Sequence, residues 1–142
     1  MMIYMNSTKK GKNKNSISEP EPVDEKLKFS FEYYDSSCKY CLSDWQKAEI
    51  SGALNRLKEV NQKTYNDLFR EKEVYHFHPV DWSTTKEKNG FPDKKVNNLE
   101  PFQFALLGIN NQKARIFGAR QDNIFYIVWF DLNHEVDPMT KK

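Results

Sequence analysis

The residues best suited to chemistry frame one apolar segment near the C-terminus. Arg115 and Arg120 precede Ile124-Phe125-Tyr126-Ile127-Val128-Trp129-Phe130, and Asp131 and His134 follow it. If a turn near Asp122 folds the chain back antiparallel, Arg120 lies at the turn and Arg115 at the far end, opposite residues around Asp131. Arg115 and His134 would then share one edge of the sheet. An arginine that holds a phosphate beside a histidine that gives or takes a proton is a minimal site for phosphodiester cleavage. The plainer alternative is an arginine paired with Asp131 or Glu135 and a histidine at the surface.

Two further groups carry metal-binding or redox residue types. Cys38 and Cys41 form a C-x-x-C and His76 and His78 an H-x-H, which together could supply a tetrahedral zinc site. The spacing is not that of the common zinc fingers. A redox pair beside a helix start is a second reading, and two reduced, partly buried cysteines a third. Asp131 to Asp137 places oxygen ligands at alternate positions like the start of a calcium loop. Val136 stands where that loop needs glycine and Lys142 where it needs an acid, which excludes it.

These residues need elements to position them. Phe29, Phe31 and Tyr33 alternate with polar neighbours, predicting a strand over Lys28–Tyr34. Ser43 with Gln46 reads as a capping box that opens a helix, with Ala53, Leu54 and Leu57 on its apolar face and an end near Asn61. Thr64 caps a second, short helix carrying Tyr65, Leu68 and Phe69. Val74–His78 reads as a short strand stopped by Pro79. Asp81 to Glu100 is polar, lysine-rich and loop-like. Three strands follow, Phe102–Ile109, Lys113–Ala119 and one from Asn123 or Ile124 to Asp131, with Asn110-Asn111 and Gln121-Asp122-Asn123 at the turns. The last strand is apolar on both parities, as expected of a central strand covered on both faces.

The expected fold class is α+β: one N-terminal strand, two helices, then an antiparallel three- to four-stranded meander. Residues 1–27 read as a flexible polar tail, 28–137 as a single domain with a long loop at 81–100, and 138–142 as a frayed end. With 142 residues and 22 basic against 20 acidic side chains, net +2, any anionic partner must be met by a local patch. The first residues hold no signal-like apolar run, and no segment approaches the roughly 20 apolar residues of a membrane helix. A cytoplasmic protein without a membrane partner is expected.

The stretch ARIFGARQDNIFYIVWFDLNHE resembles the end of RelE/ParE toxin superfamily members, in which an arginine opens a strand, a turn and an apolar strand follow, and a basic or histidine residue comes next. The order of elements over Phe29–Asp137 is similar too. This resemblance implies a type II toxin, a prokaryotic endoribonuclease (mRNA interferase, a hydrolase) that cleaves mRNA on the ribosome by attack of a 2′-hydroxyl on the adjacent phosphate. No cofactor is implied, and a cognate antitoxin is. Carried over by position, Arg115 would bind the phosphate and His134 would serve as base or acid. Arg120 is a further candidate catalytic cation, and Lys113, Trp82, Lys86 and Lys88 are the candidate substrate-binding residues. The chain departs from RelE-type members in carrying Gln103 and Ala105 where lysines are expected. The rival expectation is a non-catalytic interaction protein that grips a host target, as ParE-type toxins bind gyrase, through the aromatic and lysine-rich residues 75–95.

Overall fold

A computed structural model describes residues 25–37, 39–106 and 113–138. In chain order these form β1 (Lys28–Ser30), α1 (Lys47–Val60), α2 (Tyr65–Arg70), α3 (Lys72–Tyr75), β2 (His78–Pro79), a 3-10 turn (Trp82–Thr84), α4 (Lys94–Asn97), β3 (Glu100–Ala105), β4 (Arg115–Gln121) and β5 (Ile124–Asp131). The result is an α+β domain with one mixed five-stranded sheet ordered β1-β5-β4-β3-β2. Strands β2 to β5 pair antiparallel, and β1 adds parallel to β5.

The helix boundaries follow local chemistry. The side chain of Thr64 accepts the Asp67 N–H while Asp67 reaches back to the Thr64 N–H, so α2 begins where the sequence indicated. For α1 the capping box sits one turn later than expected: Gln46 is itself the cap and Glu49 its partner, with Asn61 closing the far end. At the β4–β5 hairpin Asp122 takes the left-handed conformation, φ 55°, that the turn requires.

Both faces of the sheet are covered, which accounts for the unbroken apolar run of β5. On one face Ala53, Leu57, Tyr65 and Leu68 of the helices pack on Phe102, Phe104, Ile116 and Ile127. On the other, Val80, Phe91 and Val96 pack on Phe117, Val128 and Trp129. The second cover comes from residues 81–100, and here the expectation of an irregular loop is corrected. Trp82, Phe91 and Val96 are apolar enough, and spaced closely enough, to anchor the 3-10 turn and α4 against Trp129.

Other boundaries differ as well. Strand β1 ends at Ser30, where the Ser30 hydroxyl accepts the Glu32 N–H and turns the chain, and Phe31 is left 55% exposed. Val74 and Tyr75 belong to α3 rather than to a strand, and only His78 and Pro79 pair with β3. Leu27, expected in the tail, is fully buried, with its N–H on the Lys63 carbonyl. The remaining tail at 1–24, the Asn110-Asn111 turn and residues 139–142 lie outside the described residues.

One irregularity directs the site. Phe117 pairs with Trp129 but Gly118 pairs with Ile127, so Val128 is the extra residue of a β-bulge. The bulge reverses the parity of β5: Ile127 faces the helices, whereas Trp129 and Asp131 face the opposite side. Gly118 accommodates it, because a Cβ there would lie 2.1 Å from the Tyr126 carbonyl oxygen and 2.6 Å from the Phe125 ring. Gly118→Ala is therefore expected to cost stability at the upper end of the roughly 1–3 kcal/mol typical of overpacking, read as a lower urea midpoint. An unchanged midpoint would mean that the bulge relaxes freely.

Candidate functional site

With its parity reversed, β5 delivers Asp131 directly opposite Arg115 on the face away from the long helix. The chain then turns back over that face. The Asp131 carboxylate accepts the N–H groups of Glu135 at 2.9 Å and Val136 at 2.8 Å. Closing so tight a turn holds His134 in the left-handed region, φ 59°. Val136 buries its side chain in the second core cluster, and its carbonyl accepts the Lys86 N–H at 2.8 Å. One residue on, Asp137 accepts the Gln103 side-chain amide at 2.9 Å. Residues 131–137 thus form a strap from β5 across β4 to β3, and Arg115 lies beneath it, 5% exposed, with its Nη1 on the Ala114 carbonyl.

Burial dominates the electrostatics. It lowers the pKa of the Arg115 guanidinium, and the nearby Asp131 carboxylate opposes that effect. Burial also raises Asp131, against the pull of two backbone N–H groups and His134. His134 is lowered, first by burial and then by the charge of Arg115, while its own backbone, Asp131 and Asp137 push it back. The arginine therefore outweighs either carboxylate at this imidazole. Among the described residues the buried Oε1 of Gln103 and Nδ1 of His134 have no hydrogen-bond partner.

These shifts predict a pH dependence of stability. Because the folded pKa of His134 is depressed, its contribution is complete above the ordinary histidine value of about 6.5 and is lost as pH falls through the depressed value. Asp131, being raised, acts oppositely: folding binds its proton more readily, so acidification through its raised value restores stability. Urea titrations should show wild-type stability declining on acidification below about pH 6.5, with that decline reduced in His134→Asn. An unaltered slope in the variant would remove His134 as its source.

The other sequence candidates lie elsewhere. Arg120 projects from the helix side of β4, bonds Glu100 at 3.0 Å and lies over the rings of Tyr65 at 4.4 Å and Phe102 at 5.4 Å. It is at the opposite end of the strand from Arg115, so the structure does not bring the two together. Lys113 is exposed, two residues ahead of Arg115. Lys86 is exposed beside the strap, but the Lys88 ammonium bonds the Ser83 and Thr85 carbonyls at 2.9 and 2.8 Å and closes its own turn. Trp82 meets Phe91 and Trp129 edge-on, and Phe77 and Phe91 are buried. The aromatic rings of residues 75–95 that were expected to grip a partner are thus largely part of the core.

Cys41 is disulfide-bonded, which corrects the reading of two reduced cysteines: an oxidised sulfur has no thiolate charge to offer a metal ion. Cys38 lies outside the described residues, among which no three His, Cys, Asp or Glu side chains are grouped to hold a metal. Two contributors, Gln103 and Asp137, were not singled out as site residues in the sequence, whereas Asp131 was read there as a possible partner of Arg115. Gln103, a polar residue inside the apolar run Phe102 to Leu106, carried a legible signal of buried polarity. Asp131 and Asp137 gave the false calcium pattern because their carboxylates secure the strap.

No protein-family model, curated protein or solved structure matches this chain.

Proposed function

We propose that this protein is a toxin of RelE/ParE type, a ribonuclease that cleaves messenger RNA at the ribosome and is held in check by a cognate antitoxin. The observation that carries this reading is the meeting of Arg115 and His134 at one end of one sheet face. In the proposed reaction the His134 imidazole takes the proton of a ribose 2′-hydroxyl, whose oxygen attacks the adjacent phosphorus. The phosphorus–O5′ bond breaks, leaving a 2′,3′-cyclic phosphate and, once protonated, a 5′-hydroxyl.

The burial of Arg115 refines its part. With 5% of the residue exposed, it serves as a fixed charge behind the imidazole rather than as a clamp wrapped around the phosphate. Such a preorganised cation stabilises negative charge developing on the phosphoryl oxygens without reorganising. The α+β order, a strand and helices ahead of an antiparallel meander, supports the family assignment. No helix among the described residues is long and apolar enough to cross a membrane.

Addition of the purified protein to a translating extract should produce discrete cleavage of messenger RNA. Intact RNA, with no difference between wild type and Arg115→Ala or His134→Ala, would refute the nuclease assignment.

A further inference from the structure

Asn89-Gly90 is the one Asn-Gly pair in the chain. Such a pair can modify itself. The backbone nitrogen of the second residue attacks the side-chain amide carbon of the asparagine, a five-membered succinimide closes, and ammonia leaves. Water then opens the ring at either carbonyl, giving aspartate or isoaspartate. Glycine favours the attack because it has no side chain to crowd the nitrogen and leaves the backbone free to turn. The attacking nitrogen must give up its proton, and its peptide must rotate toward the side chain.

Asn89 is exposed to solvent, but the backbone that follows it is pinned. The Gly90 N–H donates to the Glu87 carbonyl at 2.9 Å, and Gly90 has φ 81°. Asn97, the last residue of α4, reaches back across this turn. Its Nδ2 donates to the Asn89 carbonyl at 3.1 Å, and its Oδ1 accepts the Phe91 N–H at 3.1 Å. One side chain thus holds the peptides on both sides of Gly90. The fit is close, since a Cβ on Gly90 would collide with the Asn97 amide. Phe91 fixes the far end of the turn, 3% exposed, with its ring 4.8 Å from that of Trp82 and 5.0 Å from that of Trp129.

We propose that Asn89 is a deamidation site that the fold holds closed, with the Asn97 side chain as its catch. The peptide whose nitrogen must attack is bonded at both its N–H and its carbonyl, so the succinimide forms only after both bonds open. Modification therefore proceeds through a local opening of residues 87–91 rather than from the native turn. Isoaspartate adds a carbon to the backbone ahead of Gly90, so the modified turn no longer fits Asn97. The consequence extends beyond the turn, because Lys86 holds the Val136 carbonyl of the strap and Phe91 covers Trp129.

The test incubates the full chain in mildly alkaline buffer, with and without urea, and follows the mass and isoaspartate content of the peptide spanning residue 89. Asn89→Gln is the control for other sites, because glutamine closes its larger ring far more slowly. Native wild type is expected to react about tenfold or more slowly than the unfolded chain, as two net-favourable hydrogen bonds imply. Asn97→Ala should speed the native reaction about fivefold or more, and hydrogen exchange of the Gly90 amide by the same factor, since both pass through one opening. Asn97→Asp keeps an acceptor for Phe91 but loses the donor to Asn89, and should fall between the two; it replaces the alanine variant if that chain does not fold. A native chain that reacts as fast as the unfolded one would overturn the proposal. So would a folded Asn97 variant that reacts at the wild-type rate.

Discussion

Replacing His134 by asparagine is expected, on the proposed nuclease reading, to lower the rate of RNA cleavage by about 10²- to 10⁴-fold, the usual contribution of a positioned general base. Asparagine suits the test because His134 has φ 59°, a conformation that asparagine adopts readily, so the strap should keep its path. The melting temperature is the control, and it should hardly change at pH 7.5. The pH profile gives a separate readout. Because burial and Arg115 lower the pKa of His134, the imidazole stays unprotonated to below the ordinary value of about 6.5. Wild-type cleavage should persist into mildly acidic solution and fall only as His134 gains its proton. The residual activity of the variant should lack this acid limb. An asparagine variant that cleaves like wild type with the same profile would exclude His134 as the base.

Replacing Asp131 by alanine is expected to have the largest effect on stability, roughly 2–4 kcal/mol, because it removes the buried acceptor of two backbone N–H groups. Asp131 is 1% exposed, and its carboxylate holds two backbone N–H groups as well as facing Arg115. Alanine leaves those N–H groups without their acceptor and takes the balancing charge from a buried guanidinium. Asp131→Asn keeps an acceptor for the turn and should lose about half as much. Urea unfolding separates the three proteins, and hydrogen exchange at Glu135 and Val136 should quicken in the alanine variant first. A loss below about 1 kcal/mol for alanine would show that the strap is held mainly by Val136 and Asp137.

The strap also bears on function. It fixes His134 over Arg115, and it also limits the access of a ligand to the guanidinium. A reading in which Arg115 directly grips a phosphate suits the sequence, where nothing indicates that residues 131–137 fold back. On the proposed nuclease reading, the charge then acts through the imidazole that borders it.

Local interactions were legible in the sequence. The Thr64 cap, the end of α1 near Asn61, the Asp122 turn and the central position of β5 each depend on residues a few positions apart or on an apolar run whose burial is obligatory. The approach of Arg115 to the residues following β5 was legible too, because antiparallel pairing across a short turn relates them directly. Other features depend on distant contacts. Trp82, Phe91 and Val96 read as part of a polar loop until Trp129 offered a surface for them to cover. His76 read as half of an H-x-H pair within a strand until the fold made it the left-handed end of α3.

By itself, the sequence determined an α+β chain with its apolar strand at the centre and an arginine and a histidine at one end of a hairpin. The tertiary structure decided which face those groups share. A single extra residue, Val128, reverses the parity of β5 and turns Asp131 toward Arg115. In a strand apolar on both parities, no alternation of side chains marks such a slip. The space left by Gly118, and the packing of two opposite faces, settle it.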